Sequence, residues 1–441
     1  MRVLVISGST AKLPDPVYPL GAAIIGTAAR RAGHEVSWFD ALRHRDPLPA
    51  FEELVLSFEP DVFLFSIRNI DSGAFPNPEV YVENHRPLTL LSRKLSEAPI
   101  VLGGSAFSLM PGAFLDHLGG DYGVVGDGEK AVVEILGSIE TEASIAKITT
   151  GARVSGDFLQ ADRDLFDAEW YYTFGGVANL QTKRGCPFAC IYCTYPKLEG
   201  HNTRKNSPKR VVDEIEMIMA KGIRDFFFVD AVFNRPESHA AMICEEIIRR
   251  ELDLSFTGYF TPKGELKEFP LLLKKAGCNA AEFGTDSLSD PVLETLRKGF
   301  VVEEALAYSE RFEQVGIPQC HNLILGAPGE TEETMGESLE RMKALDPRAV
   351  IVTLGLRVYP GTELARLGFE DQNSVPLDGN SLEPVFYLEP AVANTVIDTA
   401  SRWVDNHKGW ICPGLGKKYN ARYLARQRMR RGHKGVLWTL F

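Results

Sequence analysis

Short apolar runs alternate with stretches of helical periodicity along most of this chain, and a parallel sheet with helical crossovers is the arrangement that accommodates such a pattern. In the first third, residues 3–7, 36–39, 61–67, 100–102 and 122–125 read as strands. Pro19 opens a helical pattern through Leu20, Ile24, Ile25 and Ala28 that Gly33 closes. Continuous runs such as Val3-Leu4-Val5-Ile6 suit strands buried on both faces. An α/β, doubly wound, Rossmann-type sheet is expected over residues 1–137. A second alternation, with strands at 178–182, 225–229, 254–259, 279–284, 319–325 and 349–358, predicts a partial (β/α)6 barrel of TIM type over residues 179–365. Residues 138–178, mixed polar, Gly and Asp, are expected to form a linker with a small hairpin. Residues 366–441 are expected to be a mixed C-terminal tail that caps the barrel and helps to choose the substrate.

Ligands of such sheets and barrels gather at the carboxyl ends of the strands. In the first sheet those ends carry Gly8-Ser9-Thr10, Arg68-Asn69-Ile70-Asp71, Gly103-Gly104-Ser105 and Gly126-Asp127-Gly128-Glu129. Glycines there let backbone approach a ligand closely. A nicotinamide-binding reading would use Asp40 for the ribose, but the first turn lacks G-x-G-x-x-G. The barrel's strand ends carry Asp230, then Glu282-Phe283-Gly284-Thr285-Asp286-Ser287, then Gly326 in a Gly-Ala-Pro-Gly turn, then Arg357-Val358-Tyr359. Singly, each reads as a turn or helix cap.

Directly after the first barrel strand, Cys186, Cys190 and Cys193 stand in C-x3-C-x2-C spacing, with Tyr192 before the last cysteine. Soft thiolates this close select zinc or an iron–sulfur cluster. Three cysteines would leave one iron of a cubane open to an outside ligand, whereas with His201 they would close a Cys3His zinc site. The other cysteines, Cys244, Cys278, Cys320 and Cys412, are scattered, and a total of seven argues against a disulfide framework.

The cysteine loop resembles the signature of the radical S-adenosylmethionine (SAM) superfamily, and the turns of the first sheet resemble the cobalamin-binding domain that precedes the radical SAM domain in its class B enzymes. The resemblance implies a 4Fe-4S cluster on Cys186, Cys190 and Cys193, with SAM chelating the open iron and Tyr192 near the adenine. It implies SAM contacts from Asp230, Glu282, Thr285, Asp286, Ser287 and Gly326, and places Arg357 and Tyr359 in a segment familiar from enzymes with the cobalamin module. Cobalamin would lie against Ser9, Thr10, Arg68, Asn69, Gly103, Gly104, Ser105, Gly126, Asp127, Gly128 and Glu129. The chain lacks the Asp-x-His-x-x-Gly motif by which a histidine ligates cobalt in other cobalamin proteins, as class B members commonly do. The Arg-Asn-Ile-Asp loop is similar to that of a branch with an arginine beneath the cobalt, so Arg68 would block a lower axial ligand. Its alternative is an ion pair with Asp71 or Glu129.

The function so implied is methylation of a carbon centre in a small molecule through methylcobalamin, with SAM as methyl and radical source and a flavodoxin- or ferredoxin-type reductant. A non-methylating rearrangement, cyclisation or oxidation is the alternative within the superfamily. A zinc-stabilised RNA-binding protein is the alternative outside it. Net charge of −11 opposes general nucleic-acid binding. The exception is a basic C-terminal stretch (Lys417, Lys418, Arg422, Arg426, Arg428, Arg430, Arg431, Lys434) interleaved with Tyr419, Tyr423 and Trp438, which could meet RNA or dock on the acidic body; the overall charge favours docking. No apolar run approaches the roughly 18–20 residues of a membrane helix. Met1 leads straight into the first strand without an export leader, so the cytoplasm is the expected compartment.

Overall fold

The computed structural model describes residues 1–12, 14–367, 381–416 and 421–441. Its first sheet has six parallel strands: β1 (Arg2–Ser7), β2 (Glu35–Asp40), β3 (Val62–Ser66), β4 (Ile100–Gly103), β5 (Tyr122–Gly126) and β6 (Ile148–Gly151), in the order β2-β1-β3-β4-β5-β6. The order reverses between β1 and β3, and the crevice outside their carboxyl ends is where such sheets bind ligands. Gly8-Ser9-Thr10 and Arg68-Asn69 stand there.

Residues 138–178 depart from the expected linker and hairpin. Helix Gly128–Glu140 runs on past residue 137, β6 joins the sheet edge beside β5, and helix Ala168–Gly175 follows, its first turn capped by Asp167, which accepts from Trp170 N at 3.0 Å. Half of β6 faces water, so its residues lack the apolar signature of the central strands.

The second sheet contains the six expected strands and one more. After β7 (Ala178–Leu180), a two-residue hairpin of β8 (Lys183–Arg184) and β9 (Arg204–Lys205) brackets the cysteine loop. Strands β10 (Asp225–Phe228), β11 (Ser255–Phe260), β12 (Ala281–Asp286), β13 (Gln319–Leu325) and β14 (Ala349–Leu354) continue the parallel sheet. The expected run through residue 358 stops at Gly355, whose φ of +59° and contact with Tyr387 O (2.5 Å from a Cβ built there) admit only glycine without strain. Beyond it β15 (Leu356–Arg357) pairs with β16 (Phe386–Tyr387), and β17 (Trp410–Ile411) adds the seventh parallel strand, outside β14.

The two faces of this sheet differ. Phe226, Phe228, Phe256, Phe283, Leu323, Val350 and Val352 lie fully buried beneath the helices. Each such side chain contributes about 1.5–3 kcal/mol on leaving water. The opposite face carries Phe227, Tyr259, Glu282, Asn322, Ile351 and Thr353, all of which keep accessible surface. A closed TIM barrel packs its interior with branched apolar residues. Here the interior is aromatic and polar, and remains a cavity.

The tail docks on the body. On helix Ala421–Arg431, Arg428 is 2% exposed and stands 3.2 Å from Asp15. Burial outweighs the attraction on both partners: it pushes Asp15 up to about 7 and lowers the Arg428 pKa. Lys434 donates to Tyr172 O at 3.0 Å, and Trp438 packs on Ala280, Cys320 and Ala349 at the amino-terminal end of the barrel strands. Lys417, Lys418 and Tyr419 lie outside the described residues.

Candidate active site

The cysteine loop is shaped by its neighbours. Gly185 sits at φ +93°, and a Cβ there would meet Asn202 O at 2.3 Å, so the turn into Cys186 requires glycine. Cys186 N donates to Gly200 O, and Lys197 on the short helix Tyr195–Glu199 donates to Leu109 O (3.0 Å) and Pro360 O (2.8 Å), pinning the loop to both sheets. Ile191 anchors its centre: it is buried, donates to Leu296 O and accepts from Leu364 N.

All three cysteines are free thiols. Burial raises their pKa values, that of Cys193 to about 12, while backbone N–H groups of Phe188 and Tyr195 point at Cys186 and Cys193 and the Lys298 ammonium lowers all three. Buried thiols with N–H donors aimed at sulfur and a cation alongside suit a thiolate-held cluster. Among the described residues no group of three or more His, Cys, Asp or Glu side chains is gathered around one point, so neither the three cysteines alone nor the three with His201 form a preassembled metal site.

Lys298 has no motif around it and went unread in the sequence. It is buried, 2.5 Å from Asp286 and 3.2 Å from the Tyr192 hydroxyl, and Tyr192 donates in turn to Asp286. Burial opposes its charge, but Asp286 and the thiols hold its pKa above the ordinary lysine value. Tyr192 and Asp286 are thus brought to the cysteines.

Other expected contacts fall elsewhere. Asp230 has no exposed surface and accepts from Thr182 N, Thr182 Oγ1, Lys183 N and Lys183 Nζ; it holds the base of the cysteine loop and has no free face for SAM. Thr285 and Ser287 are fully buried, bonded to His321 Nδ1 (2.7 Å) and Ser338 Oγ (2.9 Å), away from the cavity. Gly326, at φ +86°, turns its N–H to the buried Glu330, whose carboxyl desolvation pushes up to about 7. Arg357 pairs with Asp71 (2.8 Å) and lies over the Tyr359 ring, so both brace the two sheets against each other. Asp127 and Glu129 are committed likewise: Glu129 to Arg184 at 2.6 Å, and Asp127 to Arg204, which with Arg184 holds its carboxyl low against the pull of burial. Both carboxylates are thus paired with arginines other than Arg68, and Glu129 Oε2 is left without a hydrogen-bond partner among the described residues.

What remains at the ends of the first sheet is backbone and one cation. Gly104 has φ +103°, and a Cβ on it would meet Ile67 O at 2.4 Å. Ser105 Oγ donates to Arg68 O at 2.7 Å. Asn69, with its amide oriented to satisfy both atoms, accepts from the Arg68 guanidinium at 3.2 Å. Gly103 and Gly128 are half-buried and Gly126 is exposed; Ser9 and Thr10 are half-buried, and Ser9 Oγ accepts from Ala11 N. Arg68 makes no ion pair among the described residues. It has accessible surface, yet desolvation lowers its pKa, and the groups acting on it next are Tyr259, Tyr171, Tyr81 and Tyr195. Tyr259 and Glu282 combine the same two properties, accessible surface and a desolvation-raised pKa. Arg68, Tyr259 and Glu282 thus combine accessible surface with desolvation, as groups lining a recess do, and Tyr259 of the barrel and Tyr195 near the cysteine loop are among the groups that act on the Arg68 charge.

The Radical SAM superfamily matches residues 180–342 and the B12 binding domain matches residues 6–136. The chain belongs to the cobalamin-binding radical SAM enzymes. This radical SAM enzyme is 26% identical over 435 residues to a tryptophan 2-C-methyltransferase of Streptomyces laurentii, the match covering 80% of this chain and 72% of that one. It is 26% identical over 368 residues to a hopanoid C-3 methylase of Methylococcus capsulatus, covering 78% of this chain and 67% of that one. Its fold matches that of the radical SAM methyltransferase TsrM from Kitasatospora setae, a structure with cobalamin and a 4Fe-4S cluster bound, at a TM-score of 0.85 and 24% identity, over 99% of this chain and 96% of that one. The cofactors of the family are a 4Fe-4S cluster, SAM and cobalamin, and the residues present fit them: a cysteine-only donor set with N–H groups at sulfur, and a glycine-walled crevice floored by an arginine.

Proposed function

We propose that this enzyme transfers a methyl group to a carbon centre of a small aromatic molecule held in the barrel cavity. The observation that carries the reading is Arg68, an exposed cation at the carboxyl end of β3 that makes no ion pair among the described residues, with Tyr259 of the barrel and Tyr195 near the last cysteine among the groups acting on its charge. Cys186, Cys190 and Cys193 would hold the cluster, and the backbone at 103–105 and 126–128, with Ser9, Thr10 and Arg68, would hold cobalamin. When bound, the cofactors supply electron transfer, SAM cleavage and methyl delivery. The chain's own contribution is placement and exclusion of water. Arg68, its guanidinium bonded to Asn69 and its carbonyl to Ser105, would border the cobalamin site without supplying a ligand to the metal, because a guanidinium stays protonated and has no lone pair to give. Lys298 balances the anionic charge of the cysteine loop, and Tyr192 is fixed through Asp286. A flavodoxin- or ferredoxin-type protein supplies electrons in the cytoplasm. No helix among the described residues is long and apolar enough to cross a membrane.

The test is anaerobic reconstitution with iron, sulfide and cobalamin, followed by incubation with SAM and tryptophan. The expected outcome is iron and sulfide bound to the three cysteines, bound cobalamin, and S-adenosylhomocysteine formed together with a methylated product. Zinc in place of iron, or no cobalamin bound, overturns the reading.

A further inference from the structure

Parallel strands β10 to β14 present one face to the cavity, and its polar and aromatic groups are not spread evenly. Glu282 on β12 lies level with Tyr259 on β11. The Tyr259 ring meets Phe227 of β10 at 5.0 Å in an edge arrangement, and Tyr259 is 39% exposed although protein surrounds it. Trp438, from the docked tail, donates Nε1 to Glu282 Oε2 at 3.3 Å and packs on Cys320 and Ala349, closing the pocket from the amino-terminal side of the strands. Asn322 on β13 lies on the same face and donates Nδ2 to Phe283 O at 3.3 Å.

Glu282 differs from deeply set carboxylates such as Asp40, Glu237 and Glu330, which also lack a cation at contact distance but are at most 5% exposed and accept hydrogen bonds from neutral donors of the chain. Asp71, Asp127, Glu129, Asp230 and Asp286 each have a lysine or arginine partner. The groups acting on Glu282 are neutral donors only, and its side chain keeps accessible surface on the cavity. A carboxylate held among protein without a cation is costly unless something pairs with it. Aromatic rings on two adjacent strands beside it supply a flat apolar wall, and ring faces attract cations as well as other rings.

We infer that the barrel interior binds an aromatic amine, with Glu282 as the anchor of its ammonium group and Tyr259 and Phe227 as the wall for its ring. This rests on the methylation reading for what happens to the substrate, but not for its binding. It reassigns Glu282 from SAM to the substrate and makes Trp438, on the tail, part of the specificity pocket.

Equilibrium binding to the cluster- and cobalamin-loaded enzyme, without SAM, tests it. Tryptamine and 3-ethylindole share the ring and differ in the ammonium, and a hydrogen bond to a charged group is worth about 10–100-fold in affinity. The wild-type enzyme is expected to bind tryptamine at least about 10-fold more tightly than 3-ethylindole. Glu282→Gln is expected to abolish the preference while leaving 3-ethylindole binding and iron content unchanged. Equal affinities in the wild type, or no binding of either compound, would overturn the inference with no variant needed; a preference that survives in Glu282→Gln overturns the role of Glu282. A failure of the methylation reading appears separately, as S-adenosylhomocysteine and product that do not form although the amine binds.

Discussion

Replacing Arg357 by Met measures how firmly the two sheets are fixed to each other. Arg357 Nε donates to Asp71 Oδ2 at 2.8 Å, with side-chain exposures of 8% and 0%. Asp71 keeps a bond from Gly73 N at 2.8 Å, but loses its only cation. Removing one member of a pair this buried costs about 3–5 kcal/mol, against at most about 1 kcal/mol for an exposed pair. The lost bonds from Arg357 to Val358 O and Val385 O add less, because water can replace them at the rim. The loop holding Asp71 closes through Ser72 N to Glu79 O and Tyr81 N to Ile70 O, so native-state hydrogen exchange at Ser72 and Tyr81 reports its opening. In Arg357→Met the opening free energy of these amides is expected to fall by about 3–5 kcal/mol. Adding Asp71→Asn should recover at least about 1.5 kcal/mol, since the stranded charge is then gone. A loss below about 1 kcal/mol, or strict additivity of the two substitutions, refutes the claim that this pair is a buried brace.

Gly104→Ala forces a Cβ to within 2.4 Å of Ile67 O at φ +103°. The strain of about 1–3 kcal/mol displaces the Arg68 turn, so cobalamin affinity should drop at least about 10-fold by equilibrium dialysis while iron content stays at the wild-type level. Glu330→Gln tests the pH response of the Gly326 turn. The folded carboxyl titrates at about 7, above its unfolded value, so its contribution to stability is fully present below the unfolded pKa and is lost as pH rises through about 7. Between pH 5 and 8 the wild type should lose up to roughly 3 kcal/mol in urea unfolding that the glutamine variant retains; parallel profiles would contradict this. Lys298→Met removes the cation beside the thiols and leaves Asp286 unpaired. The reconstituted cluster is expected to shift to a lower reduction potential, and an unshifted potential in protein with full iron content would rule out the charge-balancing role.

The sheets were legible because their signal is redundant: apolar runs, glycine stops and helix periodicity agree in the units of β1 to β5, β7 and β10 to β14. The cysteine loop was legible because three thiols in eight residues have few other uses. What the sequence hid was the direction of single side chains. Alternation along β12 puts Glu282 and Asp286 on one face and Thr285 on the other, toward the helices, and the pairing with β13 shifts register between Phe283 and Asp286. Period-two counting from Phe283 would have removed Thr285 from the ligand set. No comparable signal pointed to Lys298, since a lysine after a helix reads as a surface residue until its burial is known. β6 was missed for the same reason in reverse, an edge strand with polar side chains reading as a connection.

The distribution of charge separates structure from function more sharply than the motifs do. Arg184, Arg204 and Arg357 each cross from the barrel to a carboxylate at a strand end of the first sheet, namely Glu129, Asp127 and Asp71. Buried pairs of this kind add little net stability compared with apolar packing, but a misaligned interface would strand several charges at once, so they favour one relative placement of the sheets. That placement fixes the distance between whatever rests on the first sheet and whatever lies in the barrel, which a reaction between two cofactors and a substrate needs held within a fraction of an ångström. Against this background of paired charges, Arg68 at the end of β3 and Glu282 on β12 keep accessible surface and make no ion pair among the described residues. Selection for stability alone would pair or remove such groups. Their persistence is the argument that a ligand completes each of them: cobalamin at Arg68, and the amine of the substrate at Glu282.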